Sequence, residues 1–273
     1  MNVLQAVVLG VVEGVTEFLP VSSTAHLLIV EKLLGLPMKT QQEKDGIIGF
    51  TAVVQVGAIL AAVLYFARDI VALIKGLVGG VSSKGRRDPE FRFALAVLVG
   101  SLPIGVVGFA LKDVIKKIDT RLVVIALGLI VFSAVFVLAE RRAAQDRAER
   151  SLTVTDGLVI GLAQCLALVP GVSRSGATIS AGLLRGLDRV SATRLSFLLG
   201  IPALLAAGAY ELKDAGKASG GAGPTVLATV VAFGVALAAI AFLLRLVARF
   251  PITAFVPYRV LLGVSVLLTV ALT

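Results

Sequence analysis

Long apolar runs alternate with short polar connections along almost the whole chain. Six of the runs are about 18 to 22 residues long, which is enough for a helix to cross a bilayer. They lie near residues 47–66, 93–111, 121–139, 190–210, 225–246 and 255–272. Two further apolar regions, 3–34 and 154–187, are interrupted at their centres by LPVSST and VPGVSRSGAT. Each of their halves is about 10 to 17 residues long, too short to cross, so both regions are predicted to be re-entrant helical hairpins.

The two interrupted regions resemble each other. LGVVEGVTEFLPVSSTAH and IGLAQCLALVPGVSRSGAT align with a one-residue offset. The aligned pairs are Gly10 with Gly161, Glu13 with Gln164, and Pro20 with Pro170. Paired short segments at corresponding places in two halves are typical of transporters with internal repeats. Three predicted spans follow each hairpin, and this odd number places the second hairpin on the opposite side of the membrane.

These patterns predict an all-α integral membrane protein with six full transmembrane helices and two re-entrant helical hairpins in an inverted-topology repeat. The first repeat is expected over residues 1–139 and the second over 152–273, with 140–151 as a cytoplasmic linker. Hairpins that enter from opposite faces can meet within the membrane. Arg174 of the second is therefore expected beside Glu13, Glu17 and His26 of the first.

The basic residues predict the orientation, because loops on the cytoplasmic side carry an excess of Lys and Arg. The set of connections with more Lys and Arg is expected on the cytoplasmic side. Its basic residues are Arg68, Lys75, Lys84, Arg86, Arg87, Arg92, Arg141, Arg142, Arg147, Arg150, Arg185, Arg189, Arg194, Arg245 and Arg249. The opposite set contains Lys39, Lys44, Lys112, Lys116, Lys117, Arg121, Lys213 and Lys217. Both termini are then predicted to face outward.

Composition supports the membrane assignment. The chain is 58% hydrophobic and 16% charged, whereas a soluble domain has roughly 25% charged residues. The net charge of +9 does not indicate nucleic acid, because its Lys and Arg lie in short loops and form no aromatic-interleaved basic patch. The start has no basic region typical of a cleaved signal peptide. The single cysteine, Cys165, cannot form an internal disulfide.

The first interrupted region holds two carboxylates, Glu13 and Glu17, in apolar surroundings. Their spacing places them on one helical face, where like charges repel, and burying each in a bilayer costs about 2.5–3.5 kcal/mol. A divalent cation, an arginine, a shared proton or a water-filled cavity could offset that cost. The alternative is a helix at the surface, with both carboxylates solvated.

The only histidine, His26, follows the polar run Ser22, Ser23 and Thr24. These hydroxyl residues are suited to cap the second half-helix. Ser23 lies three residues before His26, so the two can also share a helical face, as a nucleophile and its base would. By itself, a histidine in an apolar helix is more often structural, but these neighbours favour a functional role for His26.

The second interrupted region holds PGVSRSGAT, in which a new helix is expected to begin around Ser173 to Ser175. The amides of that helix start, with the Ser173, Ser175 and Thr178 hydroxyls, would form an anion-binding cradle. Arg174 adds a fork-shaped cation that matches phosphate oxygens. The alternative is an arginine that extends to the membrane surface near a loop.

Together these groups are suited to a phosphate ester or anhydride, with carboxylates to hold a divalent metal. Phosphoryl transfer depends mainly on neutralising the phosphate oxygens and on an in-line nucleophile. The sequence alone also allows a transporter or flippase for an anionic or lipid-linked solute, since broken helices are common there. A scaffold subunit would leave the buried ionisable residues unexplained.

The motifs EGVTEFLPVSSTAH and PGVSRSGAT resemble the two consensus regions of the undecaprenyl-diphosphate phosphatases, the bacitracin-resistance family of bacterial membrane proteins. The resemblance runs along the whole chain and includes FTAVVQVGAILA. It implies a hydrolase of the inner membrane that converts undecaprenyl diphosphate to the monophosphate and phosphate for cell-wall synthesis. It also implies a divalent cation, Mg²⁺ or Ca²⁺, and a site open to the outer face.

The residues that match the family's functional positions are Glu13, Glu17, Ser23, His26, Ser173, Arg174 and Thr178. We expect Glu13 and Glu17 to hold the metal, and Ser173, Arg174, Ser175, Gly176 and Thr178 to bind the diphosphate. Glu17, Ser23, His26 and Arg174 are the expected catalytic residues. Attack by Ser23, by His26 or by an activated water all remain open. Small residues such as Gly57 and Ala58 could line helix contacts within one chain or in a homodimer.

Overall fold

The computed structural model describes residues 1–37, 40–80, 88–118, 121–211 and 220–272, and these residues are helical almost throughout. Within these ranges the α-helices are α1 (Val3–Thr16), α2 (Ser23–Leu33), α3 (Gln41–Tyr65), α4 (Ala67–Gly79), α5 (Pro89–Ala110), α6 (Lys112–Ile118), α7 (Leu122–Arg142), α8 (Val154–Gln164), α9 (Arg174–Leu184), α10 (Arg189–Glu211), α11 (Ala222–Val247) and α12 (Val256–Leu272). No β-strand occurs in this part of the chain. The all-α prediction is confirmed.

Six helices among the described residues are long and apolar enough to cross a membrane: α3, α5, α7, α10, α11 and α12. They coincide with the six apolar runs of the sequence, so the prediction of six spans is confirmed. Several of the basic residues used to predict the orientation lie outside the described residues. These are Lys39, Lys84, Arg86, Arg87, Lys213 and Lys217.

Two helices, α4 and α6, occupy stretches that the hydrophobic pattern assigned to connections. Arg68 and Lys75, which were placed in a loop, therefore lie on α4. Its first turn contains Asp69, and a negative charge is favourable there because the N-terminal end of the helix dipole is positive. Both helices are too short to cross a bilayer, so the search for long apolar runs did not find them.

The two interrupted regions each consist of two helical pieces joined by a non-helical turn. In the second, a 3-10 turn over Cys165–Leu168 precedes the turn. Ser22 and Ser173 both have a φ of 75°, a left-handed conformation uncommon for residues other than glycine. The separation of Ser22 and Ser173 along the sequence equals that of Gly10 and Gly161 and that of Glu13 and Gln164. The predicted repeat stays a prediction, and with this spacing Pro20 and Pro170 are one position out of register.

One compact unit comprises residues 1–19, 23–65 and 204–243. Within it, small residues of α1 and α3 lie directly against the backbone of α11. A Cβ atom added to Gly10 would be 2.5 Å from the Ala228 carbonyl oxygen, and one added to Gly57 would be 2.2 Å from that of Thr229. The small size of Gly57 therefore serves a contact within the chain.

A second compact unit comprises residues 20–22, 66–203 and 244–273. In this unit α5 and α8 cross at three glycines. A Cβ atom on Gly161 would be 2.0 Å from the Gly100 carbonyl oxygen, and one on Gly100 would be 2.4 Å from that of Gly157. This crossing fixes the first piece of the second interrupted region to a membrane-spanning helix.

We expect Gly100→Ala to lower the free energy of unfolding by about 1–3 kcal/mol, the usual cost of overpacking. The added methyl group meets rigid backbone, so the two helices must separate. Gly105→Ala in the same helix is the matched control, since no described residue outside its own stretch of helix has an atom within 4 Å of the added Cβ. Thermal unfolding of both variants in detergent measures the effect. Equal midpoints for Gly100→Ala and the native protein would contradict the contact.

Ion pairs connect the linker after α7 to the helices that follow. Arg147 Nη2 lies 2.7 Å from Asp156 Oδ2, and Arg185 Nε lies 2.7 Å from Asp156 Oδ1. Asp156 is fully buried, and its hydrogen bond raises the pKa of the Arg147 guanidinium. Arg147 also donates to the Arg185 carbonyl oxygen at 2.8 Å. These contacts hold the start of α8 next to the end of α9.

Candidate active site

The carboxylates of the first interrupted region are buried. Glu13 is 2% exposed and Glu17 is 7% exposed. The Glu17 amide donates to the Glu13 carbonyl oxygen at 3.0 Å, so the two residues are one helical turn apart at the end of α1. The alternative that both carboxylates are solvated at the surface is wrong.

Glu17 is directly hydrogen-bonded to a hydroxyl of the next helix. Ser23 Oγ donates to Glu17 Oε2 at 2.7 Å. Ser23 is the first residue of α2, and His26 follows three residues later in that helix, half-buried. A serine hydroxyl within hydrogen-bond reach of a carboxylate has the arrangement of a nucleophile and its general base.

Glu13 lines a narrow recess within the same compact unit. The other residues around this recess are Leu9, Leu27, Phe50, Thr51 and Val54. Its walls are mostly apolar, so water cannot fully solvate a carboxylate there, and the ionised form needs a positive group or protein donors.

The second interrupted region forms a helix start lined by hydroxyl groups. Ser173 caps α9 and its Oγ accepts from the Gly176 amide at 3.3 Å. The Ser173 and Ser175 hydroxyl oxygens are 3.1 Å apart. At position 176 a Cβ atom would be 2.5 Å from the ring of Phe136, so only glycine allows this close approach. The predicted helix start is confirmed.

Arg174 and Thr178 both contact Ser196 on α10. Arg174 Nη1 donates to the Ser196 carbonyl oxygen at 3.1 Å, and Thr178 Oγ1 donates to Ser196 Oγ at 2.6 Å. Next to this contact, a Cβ atom on Gly200 would come within 1.9 Å of Arg174 Nη1. The guanidinium therefore lies against α10 at Ser196 and Gly200, which are one helical turn apart, and does not extend to a loop.

We expect Gly200→Ala to displace the Arg174 guanidinium without unfolding the protein. The new methyl group meets the flexible end of a side chain, which can move, whereas a misplacement of about 1 Å at a binding group can cost about 10²-fold in rate. Release of phosphate from an isoprenyl diphosphate, the substrate that the family resemblance implies, measures the effect. Gly234→Ala is the control, because in the described part of the chain no atom beyond its own helix backbone lies within 4 Å of the added Cβ. A Gly200→Ala protein as active as this control would contradict the placement of Arg174.

Sequence reasoning missed several polar or small residues on the helices around these regions. Arg259, within the last apolar run, is fully buried. Gln164 is also fully buried, and its side-chain amide atoms have no hydrogen-bond partner among the described residues. An ionisable residue inside an apolar run marks a functional candidate, so Arg259 had a usable signal. Ser196 and Gly200 had none, because small residues are common in membrane helices.

The described residues contain no group of three or more His, Cys, Asp or Glu side chains arranged for a metal. The donor set of Glu13 and Glu17 nevertheless fits Mg²⁺, which proteins usually bind through one or two carboxylates, with water and substrate phosphates completing the shell. Two buried carboxylates one turn apart would hold such an ion.

The structure thus gathers the predicted residues into two sets. Glu13, Glu17, Ser23 and His26 belong to one compact unit. The helix start from Ser173 to Thr178, including Arg174, Ser175 and Gly176, belongs to the other. The proximity of Arg174 to Glu13, Glu17 and His26 stays a prediction.

Six apolar spans and two helix pairs broken by polar turns define a multi-pass α-helical membrane protein with ionisable groups at both breaks. Residues 6–265 match the model of the bacitracin resistance protein BacA family. The chain belongs to that family.

Named relatives match over nearly the full length. A protein of Acidothermus cellulolyticus, named undecaprenyl-diphosphatase, is 53% identical over 97% of this chain and 96% of its own length. Undecaprenyl-diphosphatase 3 of Frankia casuarinae is 51% identical over 99% of this chain and 98% of its own length. The undecaprenyl-diphosphatase of Cutibacterium acnes is 49% identical over 98% of this chain and 96% of its own length.

Proposed function

We propose that this chain is an undecaprenyl-diphosphate phosphatase, which converts the C55 isoprenyl diphosphate in the membrane to its monophosphate and inorganic phosphate. The carrying observation is the partly buried Glu17–Ser23 hydrogen bond of 2.7 Å in a chain about half identical to proteins of that name. The apolar spans suit a substrate whose tail remains in the bilayer.

Charge neutralisation of the diphosphate is assigned to the second interrupted region. Arg174 presents a guanidinium held by the Ser196 carbonyl group, and the start of α9 presents amides with the Ser173 and Ser175 hydroxyls. A helix N-terminus favours anions. The Thr178 hydroxyl, which donates to Ser196, supports the surface on which Arg174 lies.

The first interrupted region is assigned the metal and the nucleophile. Glu13 and Glu17 would hold a divalent cation, which neutralises charge on the phosphate oxygens when bound. Ser23 Oγ attacks the terminal phosphorus, and its proton passes to Glu17. The bond to the bridging oxygen breaks, the lipid monophosphate leaves, and water then releases phosphate from Ser23.

His26 remains a second candidate for the nucleophile or for activating water. Trapping the phosphorylated protein separates the possibilities. A phosphoserine is stable in acid, whereas a phosphohistidine is labile. An acid-stable phosphopeptide containing Ser23 is the expected result, and acid-labile phosphate on His26 would reverse the assignment.

We place the protein in the bacterial inner membrane, with the site open to the outer face. The excess of basic residues in one set of connections supports the orientation, because it marks the cytoplasmic side. The outward opening of the site rests on the family resemblance. Cysteine accessibility tests this orientation. A cysteine introduced at Arg142, the last residue of α7, should react with an impermeant thiol reagent only after the membrane is opened.

Release of inorganic phosphate by the purified protein tests the function. Undecaprenyl diphosphate in detergent, with Mg²⁺, should yield one phosphate and the monophosphate lipid, and a chelator should stop the reaction. A lipid transporter would bind the same substrate and release no phosphate. Such an outcome, with folded protein, would refute the proposal.

A further inference from the structure

Arg259 is a fully buried arginine near the start of α12. Among the described residues, no carboxylate lies within ion-pair distance of its guanidinium. The Arg259 Cζ atom lies over the Phe136 ring, 4.8 Å from its centre. A buried charge needs partners, and here the partners are almost entirely backbone carbonyl groups.

The shortest of these contacts are with the turns of both interrupted regions. Arg259 Nη1 donates to the Pro20 carbonyl oxygen at 2.9 Å. Nη2 donates to the Gly171 carbonyl oxygen at 2.9 Å and to that of Val172 at 3.3 Å. One guanidinium therefore holds the backbone two residues before each left-handed serine, since Pro20 precedes Ser22 as Gly171 precedes Ser173.

The guanidinium is itself fixed by α7. Its Nε donates to Ser133 Oγ at 3.2 Å, and Nη2 also contacts the carbonyl oxygens of Gly128 and Leu129 at 3.4 Å. Around it the backbones are in close contact: a Cβ atom on Gly128 would be 2.3 Å from the Pro170 carbonyl oxygen. The position of Arg259 is thus determined by a spanning helix, and it transmits that position to both turns.

We infer that Arg259 is a positioning residue, which sets the turns that orient Ser23 and Arg174 by holding the Pro20 and Gly171 carbonyl groups. It need not touch the substrate. Helix breaks leave carbonyl groups without intrahelical partners, and only a planar fork with five donors satisfies several at once. A lysine keeps the charge but is a compact donor on a flexible stem, so it should not hold both turns.

The single cysteine provides a direct readout of one turn. Cys165 begins the 3-10 turn that leads to Gly171, is half-buried, and its Sγ lies 3.6 Å from the Gly161 carbonyl oxygen. Loosening of the second turn should expose this thiol. The rate at which a maleimide labels Cys165, well below the unfolding temperature, therefore reports on Arg259 independently of any enzymatic activity.

The test compares Arg259→Lys with Arg189→Lys. In the native protein Arg189 is the first residue of α10, and its guanidinium pairs with Glu140 of α7. We expect Arg259→Lys to label about tenfold faster and to lose about 10²-fold in kcat, with KM within threefold of the native value. Arg189→Lys should match the native protein in both readouts. If Arg259→Lys does not fold, Ser133→Ala, which removes the acceptor of Nε, applies the same test in milder form.

The activity readout rests on the proposed function, whereas the labelling readout does not. Native protein that releases no phosphate would refute the function and leave labelling to decide the role of Arg259. An Arg259→Lys protein that labels at the native rate would overturn the inference, even if its kcat falls. Faster labelling with native kcat would also overturn it, because the turns would then not position the reacting groups.

Discussion

Replacing Arg174 with alanine is expected to lower phosphate release at least about 10³-fold, the lower end of what a charge-stabilising arginine contributes to phosphoryl transfer. The guanidinium donates to the Ser196 carbonyl oxygen and lies directly against Gly200. It is therefore already oriented before substrate arrives, and alanine removes both the charge and the fork. Single-turnover assays with excess enzyme separate this loss from weaker binding.

Two further variants make the Arg174 result specific. Arg174→Lys keeps the charge without the bidentate geometry and should lose about 10- to 100-fold, between the native protein and alanine. Arg185→Ala, at the other end of α9, removes an arginine that pairs with Asp156 and should leave kcat unchanged. An Arg174→Ala protein within tenfold of native activity would remove Arg174 from the proposed site.

Glu17→Gln is expected to lower the rate about 10²- to 10⁴-fold, the range that a general base contributes. Glutamine keeps the shape and an acceptor for the Ser23 hydroxyl, now 2.7 Å from Glu17 Oε2. It removes the Glu17 carboxylate, the group that would accept the serine proton and bind a cation. The Mg²⁺ concentration for half-maximal activity should also rise at least about tenfold.

Titrating Mg²⁺ in the Glu17→Gln and native proteins measures both effects together. Glu90→Gln is the matched control, because Glu90 is exposed in the first turn of α5. If Glu17→Gln lost activity but kept the native Mg²⁺ dependence, Glu17 would be the base and not a metal ligand. Native activity would exclude both roles.

The helices that cross the membrane could be predicted because hydrocarbon imposes length and composition on them. The same rule does not apply to α4 and α6, which are too short to span, so nothing in the hydropathy indicated them. Glycine contacts such as Gly100 with Gly157 depend on which helices are neighbours. A sequence pattern does not contain that information.

The charged residues of the candidate site were predictable because each is costly in an apolar region. Their supports were not, since Ser196 and Gly200 are ordinary residues whose roles depend on the position of α10. Arg259 is different: its charge in the last apolar run was a signal by the same reasoning as Arg174. Its carbonyl partners, however, come from distant parts of the chain and only the fold brings them together.

The contacts of α1 and α3 with α11 have a consequence for biogenesis. Gly10, Gly14 and Gly57 form notches that are filled by backbone or side chains of α11, a helix made only late in translation. Until the ribosome has released α11, α1 and α3 lie in the bilayer without the helix that fills these notches. A chain that stops after α10 should therefore expose these notches to lipid and to quality-control proteases, however complete its first repeat is.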